Sequence, residues 1–234
     1  MIRNLLNKAI TKIKKKEFIF DQEIPLKYLF NLSFEKLLML VRGFFYWNLL
    51  HKGKVFLVGK KCVLKCVSKI SVGNGVLIER NCYLDALSSN GLMLGDYTSL
   101  GMDTTIICSG TYKDIGKGIK VGSGVGLGTH GFFGCAGGIE IGNNTIFGNF
   151  VSLHSENHNF SNTKQLIKDQ GVNRKGIIIG EDCWIGSKAT ILDGVIIENG
   201  VIIAAGAVVK EGVYMQNGVY GGVPAKLLKM RNND

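Results

Sequence analysis

The sequence predicts an all-β chain wound as a parallel β-helix, with a helical segment before it and a short tail after it. Three observations predict this fold. An aliphatic residue or Phe recurs every six residues through most of the stretch from Val72 to Val209. A small side chain follows each of these four residues later, except where the unit reaches Asn157. The composition joins 32 Gly to only 2 Pro without a collagen period, which points to many repeated tight turns.

Residues 1–53 are the predicted helical segment. Residues 1–16 hold Arg3, Lys8, Lys12, Lys14, Lys15 and Lys16 with no acid, a large share of the net charge of +10. Ile2, Leu5, Leu6, Ala9, Ile10 and Ile13 fall at helical spacing, so this is a basic amphipathic helix. Such a helix serves either as a membrane-surface anchor or as a helix packed on its own domain with solvated lysines. Residues 34–50 are apolar and aromatic, but Glu35, Lys36 and Arg42 break the run well short of the ~20 apolar residues a span needs. They are expected to pack against the domain or a partner subunit. The basic residues accompany no nucleic-acid-binding motif, so nucleic acid is not an expected partner.

Residues 54–215 carry the repeat. Its aliphatic positions are Val72, Ile78, Leu84; Leu94, Leu100, Ile106; Val121, Leu127, Phe133; Ile141, Phe147, Leu153; Ile179, Ile185, Ile191; and Ile197, Ile203, Val209. A period of six wanders around an α-helix, whereas short strands joined by tight turns place the aliphatic and the small residue inward together. Three units make one coil, and stacked coils bury one continuous core. Coil starts read KISVG (69–73), GLMLG (91–95), GIKVG (118–122), GIEIG (138–142) and GIIIG (176–180). Units three apart should begin 18 residues later, so surplus residues loop out near 88–91, 110–118 and, longest by far, 157–176. Residues 216–234 form a C-terminal extension. The six cysteines (62, 66, 82, 108, 135, 183) include no CxxC pair. Cys82 and Cys183 occupy the small inward position, and a reducing compartment is expected.

The longest loop opens in HSENHNF (154–160), which places His154 at a turn and His158 just outside the coil. An insertion in a solenoid maps to one edge and often carries function. Glu156 between the two imidazoles is either a partner for one ring nitrogen or a solvated carboxylate.

The loop that begins with NH, followed by IGEDCWIGSKATILDGVII (179–197), AAGAVVK (204–210) and GGVPAKLLKMR (221–231), resembles the hexapeptide-repeat acyltransferases. Within them the likeness is to the sugar O-acetyltransferases of bacterial capsule, O-antigen and exopolysaccharide loci. The resemblance spans roughly residues 54–231. It implies a left-handed β-helix, a homotrimer with active sites between neighbouring subunits, acetyl-coenzyme A as acyl donor, and a loop histidine as general base.

On that basis His158 is the expected base, and His154 either orients it, contacts substrate or caps the corner. Trp184, Ala204, Ala205 and Gly206 are expected along the coenzyme A groove, with Lys226 and Arg231 on its phosphates. No metal is expected. The sequence departs from the family pattern at Ile197-Glu198 and Ala207, which leaves the coenzyme contacts open in detail.

The implied acceptor is a sugar or polysaccharide precursor, met in the cytoplasm. Residues 1–16 would then bring the enzyme to the inner face of the cytoplasmic membrane. N-acetylation of a nucleotide-linked amino sugar is the alternative, since an amine must also lose a proton. A zinc enzyme of the γ-carbonic anhydrase type, using His130, His154 and His158, and a non-catalytic scaffold are further rivals on the same fold.

Overall fold

The computed structural model describes residues 2–14, 17–46 and 55–231. Of the predicted helical segment, residues 1, 15, 16 and 47–53 lie outside the described residues. Helix α1 spans Ile2–Lys14 and helix α2 spans Leu26–Phe45. The connecting segment folds back on α1. Phe18 N–H donates to Thr11 Oγ1 and Phe20 N–H to Asn7 Oδ1, each at 3.0 Å. The Arg3 guanidinium donates to the carbonyls of Gln22 and Ile24.

Helix α2 starts earlier than the apolar run alone predicts, directly after Pro25, whose extended backbone cannot continue a helix backward. Leu29 and Met39 are buried, as is Gly43, where an added Cβ would collide with the Phe56 carbonyl. The α2 backbone therefore lies directly on the first strand. Lys36 reaches Glu79 at 2.9 Å and ties the helix to the second coil.

From Phe56 the chain winds through three sheets. Sheet one runs from Phe56–Val58 to Gly218–Gly221, sheet two from Val63–Lys65 to Val208–Val209, and sheet three from Ile70–Val72 to Gly212–Tyr214. Every neighbouring pair between successive coils is parallel, and repeat positions pair with repeat positions: Ile78 with Leu100, Leu100 with Leu127, Phe147 with Ile185. The inward columns are almost wholly buried, with Ile78, Leu84, Leu100, Ile106, Leu153 and Ile185 at 0% exposure. Each such side chain contributes about 1.5–3 kcal/mol of hydrophobic stabilisation. Cys82 and Cys183 sit in these columns as predicted, and all six thiols are free.

Two of the three corners close with a residue in the left-handed region, three positions after the aliphatic. Between sheets one and two these include Lys61, Asn81, Asp103, His130, Phe150 and Lys188, at φ between 56° and 61°. This conformation costs an ordinary side chain roughly 1–2 kcal/mol, which accounts for the Asn and Asp at several corners. The third corner, between sheets two and three, releases the longer loops. Its returns need glycine most plainly at Gly118, where φ is 110° and a Cβ would strike the Gly91 carbonyl.

Stacking continues past the boundary drawn at 215. Gly218–Gly221 lies parallel on Ile202–Ile203, and Lys226–Met230 then folds back antiparallel to cover it. The extension is thus the last layer of sheet one, and residues 232–234 lie outside the described residues.

Candidate active site

The loop at 157–176 is an antiparallel ribbon. Asn157 pairs with Asn173 and His158 with Val172, and the Asn159 N–H donates to the Gly171 carbonyl at 3.0 Å. The tip is held by amides: the Gln170 side chain donates to the carbonyls of Asn162 and Gln165 at 2.9 Å. Two buried side chains at the third corner fix the ribbon's ends. Ser155 Oγ donates to the Gly134 carbonyl and accepts from the Gly137 N–H. The Asp193 carboxylate accepts from the backbone N–H groups of Lys175 and Gly176, where the ribbon rejoins the coil.

His154 ends the sheet-two strand Ser152–His154, between Gly134 below and Leu192 above. Its ring tilts over Phe132, centroids 5.4 Å apart. Partial desolvation pushes its pKa below the usual imidazole value, although the residue remains exposed. His158 is exposed on the first strand of the ribbon. The two imidazoles therefore share one corner, both exposed, with His154 also tilted over an aromatic ring.

Glu156 is held by a cation. Its Oε2 accepts from Arg174 Nε at 2.9 Å, and among the described residues no hydrogen bond joins it to either imidazole. Arg174 also meets the Asp114 carboxylate at 2.9 Å and the Asp114 carbonyl at 3.2 Å. One guanidinium, only 11% exposed, thus clamps the mouth of the ribbon to the loop at 110–116. Sequence reasoning missed Arg174, because its partnership follows from the ribbon's register.

The expected donor-side residues lie elsewhere. Trp184 stands on the outward face of sheet one between Ile146 and Ile202, half exposed. Ala204, Ala205 and Gly206 turn the last corner between sheets one and two. Gly206 has φ 70° and nothing within 4 Å of where a Cβ would stand, so this corner is open. Lys226 begins the covering strand opposite Gly221, at the same end of sheet one. Arg231 is at the other end, where its guanidinium donates to the Gly200 carbonyl at 2.7 Å and meets Asp182 at 3.4 Å. The structure thus groups Ala204–Gly206 with Lys226, and separates Arg231 from them. Histidines and donor-side corner stand at opposite ends of sheet two, so one chain does not bring them together.

His130 does not join the other histidines. It sits in a corner between sheets one and two, stacked on Phe150 at 4.6 Å and 3.5 Å from Asp103. Among the described residues no group of three or more His, Cys, Asp or Glu is placed to hold a metal. A shallow groove runs over sheet three beside the loops, lined by Met93, Lys117, Lys120, Glu140, Lys175 and Ile178. None of these stood out in the sequence.

Residues 176–211 match the family model described as bacterial transferase hexapeptide (six repeats). Over that stretch the chain is similar to the bacterial transferase hexapeptide repeats. Solved structures share its hexapeptide fold at low identity. A variant of AntD, an N-acyltransferase from Bacillus cereus, in complex with dTDP-4-amino-4,6-dideoxyglucose and coenzyme A, aligns with a TM-score of 0.57 and 21% identity. That alignment covers 82% of this chain and 90% of the other. AntD in complex with dTDP and 3-hydroxybutyryl-CoA aligns with a TM-score of 0.56 and 21% identity, covering 82% and 88%. No curated protein matches the sequence.

Proposed function

We propose that this protein transfers an acetyl group from acetyl-coenzyme A to a sugar hydroxyl during surface-polysaccharide synthesis, with His158 as general base. The observation that carries the reading is the corner between sheets two and three. There an exposed imidazole stands on a ribbon clamped at its mouth, at the same corner as a second imidazole whose proton affinity partial desolvation lowers. A hydroxyl is a poor nucleophile until a base takes its proton, and an imidazole near pH 7 is suited to that step. The coenzyme A thioester supplies the acyl group. His158 takes the acceptor proton, and His154 presents a neutral ring beside the acceptor. The open corner at Ala204, Ala205 and Gly206 fits a pantetheine arm, and Lys226 fits a phosphate. Trp184 offers a flat apolar surface for the same groove. Arg231, already engaged by Asp182 and the Gly200 carbonyl, fits a phosphate less well.

The separation of the histidines from the donor corner supports a site shared between copies, and from the resemblance to hexapeptide-repeat acyltransferases we take the assembly to be a homotrimer of left-handed helices in which one copy's corner faces another's ribbon. With acetyl-coenzyme A as donor, the same reading takes the reaction to be cytoplasmic. A second reading, acylation of an amino sugar carried on a nucleotide, is favoured by the likeness to AntD, whose structure holds such a sugar. In both readings His158 has the same task.

Calorimetric titration with acetyl-coenzyme A tests the donor half. Saturable binding near one per subunit is expected, and a folded protein that binds none would overturn the reading. Acceptor panels of free sugars, glycan fragments and nucleotide-linked amino sugars then separate hydroxyl from amine. In the active panel, His158→Ala is expected to lower kcat by about 10²–10⁴-fold while leaving donor binding intact.

A further inference from the structure

Helix α2 is apolar on two faces, and the fold covers only one. Leu29, Met39 and Gly43 are buried against the first coil. On the far side Leu26, Phe30, Phe34, Leu37, Val41 and Phe44 follow at intervals of three and four residues, one continuous stripe. All six are exposed, from 49% at Val41 to 71% at Phe44. Scattered exposed apolar residues need no explanation, but six large ones aligned along a 20-residue helix mark a contact surface.

The neighbouring sequence says what kind. Residues 1–16 carry six cations and no acid. They lead into the segment that Arg3, Asn7 and Thr11 tie back on α1, and that segment leads directly into α2. Packing two copies stripe to stripe would bring two such cation clusters close to one another, whereas an anionic surface neutralises them. No described helix is long and apolar enough to cross a membrane. A helix with one stripe free and the other face docked on a rigid solenoid lies along a surface rather than through it.

We propose that the free stripe of α2 lies in the surface of an anionic lipid bilayer, its aromatic and aliphatic side chains at the headgroup–acyl boundary, with the lysine-rich sequence of residues 1–16 attracted to the headgroups. The inserting element is then α2, with residues 1–16 supplying attraction. This surface does not depend on the acyl-transfer reading.

The test is co-sedimentation of the full chain with vesicles of phosphatidylcholine alone and of phosphatidylcholine with phosphatidylglycerol. Binding is expected to the anionic vesicles and to weaken as salt rises. A combined Phe30→Ser, Phe34→Ser, Phe44→Ser variant should lose about tenfold or more in partition, with its unfolding midpoint little changed because the stripe is uncovered. Should that variant not fold, Phe30→Trp gives an independent readout: its added fluorescence should shift to the blue with anionic vesicles. Absence of both binding and shift would overturn the proposal. So would light scattering in which the wild type is an oligomer that ignores vesicles and the Ser variant a monomer, which would assign the stripe to a second copy.

Discussion

His154 and His158 differ in what surrounds them, and the difference has a measurable sign. Burial against Phe132 lowers the pKa of His154, so the folded state holds that proton more weakly than the unfolded chain does near pH 6.5. This costs nothing well above pH 6.5 and destabilises the fold increasingly as pH falls below it. His154→Gln should therefore flatten the decline of Tm between about pH 7.5 and 5.5. Parallel Tm curves for variant and wild type would sink the assignment. At this scale the sequence was readable where it broke its own rhythm: the two imidazoles stand out because a period of six stops at them. Arg174 was not readable. Its partners come from two places, Asp114 and Ile115 from the 110–116 loop and Glu156 from the start of the ribbon, and only the ribbon's register puts Glu156 opposite Arg174. Arg231 misled for the opposite reason, since a tail cation looks free until the last strand carries it back to Asp182 and Gly200.

The ribbon carrying His158 has little apolar packing of its own: Phe160, Leu166 and Ile167 are exposed at its tip. Its placement rests on polar ties, above all the Arg174 clamp and the Asp193 carboxylate at the return. Arg174→Ala leaves Glu156 without its cation and cuts the link to the 110–116 loop. The expected result is faster proteolytic cleavage within 159–171 at unchanged global Tm. Under the proposed function kcat should also fall by about tenfold or more, because the base is no longer held in place. Arg174→Lys should restore part of both, since a point charge replaces only part of a forked contact. If Arg174→Ala is cleaved no faster than wild type, the clamp has no role in holding the ribbon. The strands themselves were legible because six-residue units with inward aliphatics admit one stacking. The start of α2 was not, since it is set by Pro25 rather than by the apolar run at 34–50.

Across the whole molecule, each coil is stabilised through its neighbours, so damage to one layer is felt along the stack. Leu100 is fully buried between Ile78 and Leu127, and Leu100→Ala should cost about 2–5 kcal/mol, read as a lowered urea midpoint. The same stacked geometry sets the sharper test of how the site is assembled. His158 leaves the corner between sheets two and three, while Gly206 and Lys226 stand at the other end of sheet two. A rigid solenoid cannot fold these edges together, so a shared site requires one copy to supply the ribbon and another the open corner. Two inactive variants, His158→Ala and a donor-corner block such as Gly206→Trp, should then complement each other when co-expressed and purified as one assembly. In a mixed trimer some interfaces pair an intact ribbon with an intact corner, and activity returns at those interfaces alone. A chain with its whole site in one copy would give no activity in any mixture, because every copy would carry one defect. Recovery of activity would therefore place the site between copies, and its absence in assemblies shown to be mixed would confine the site to a single chain.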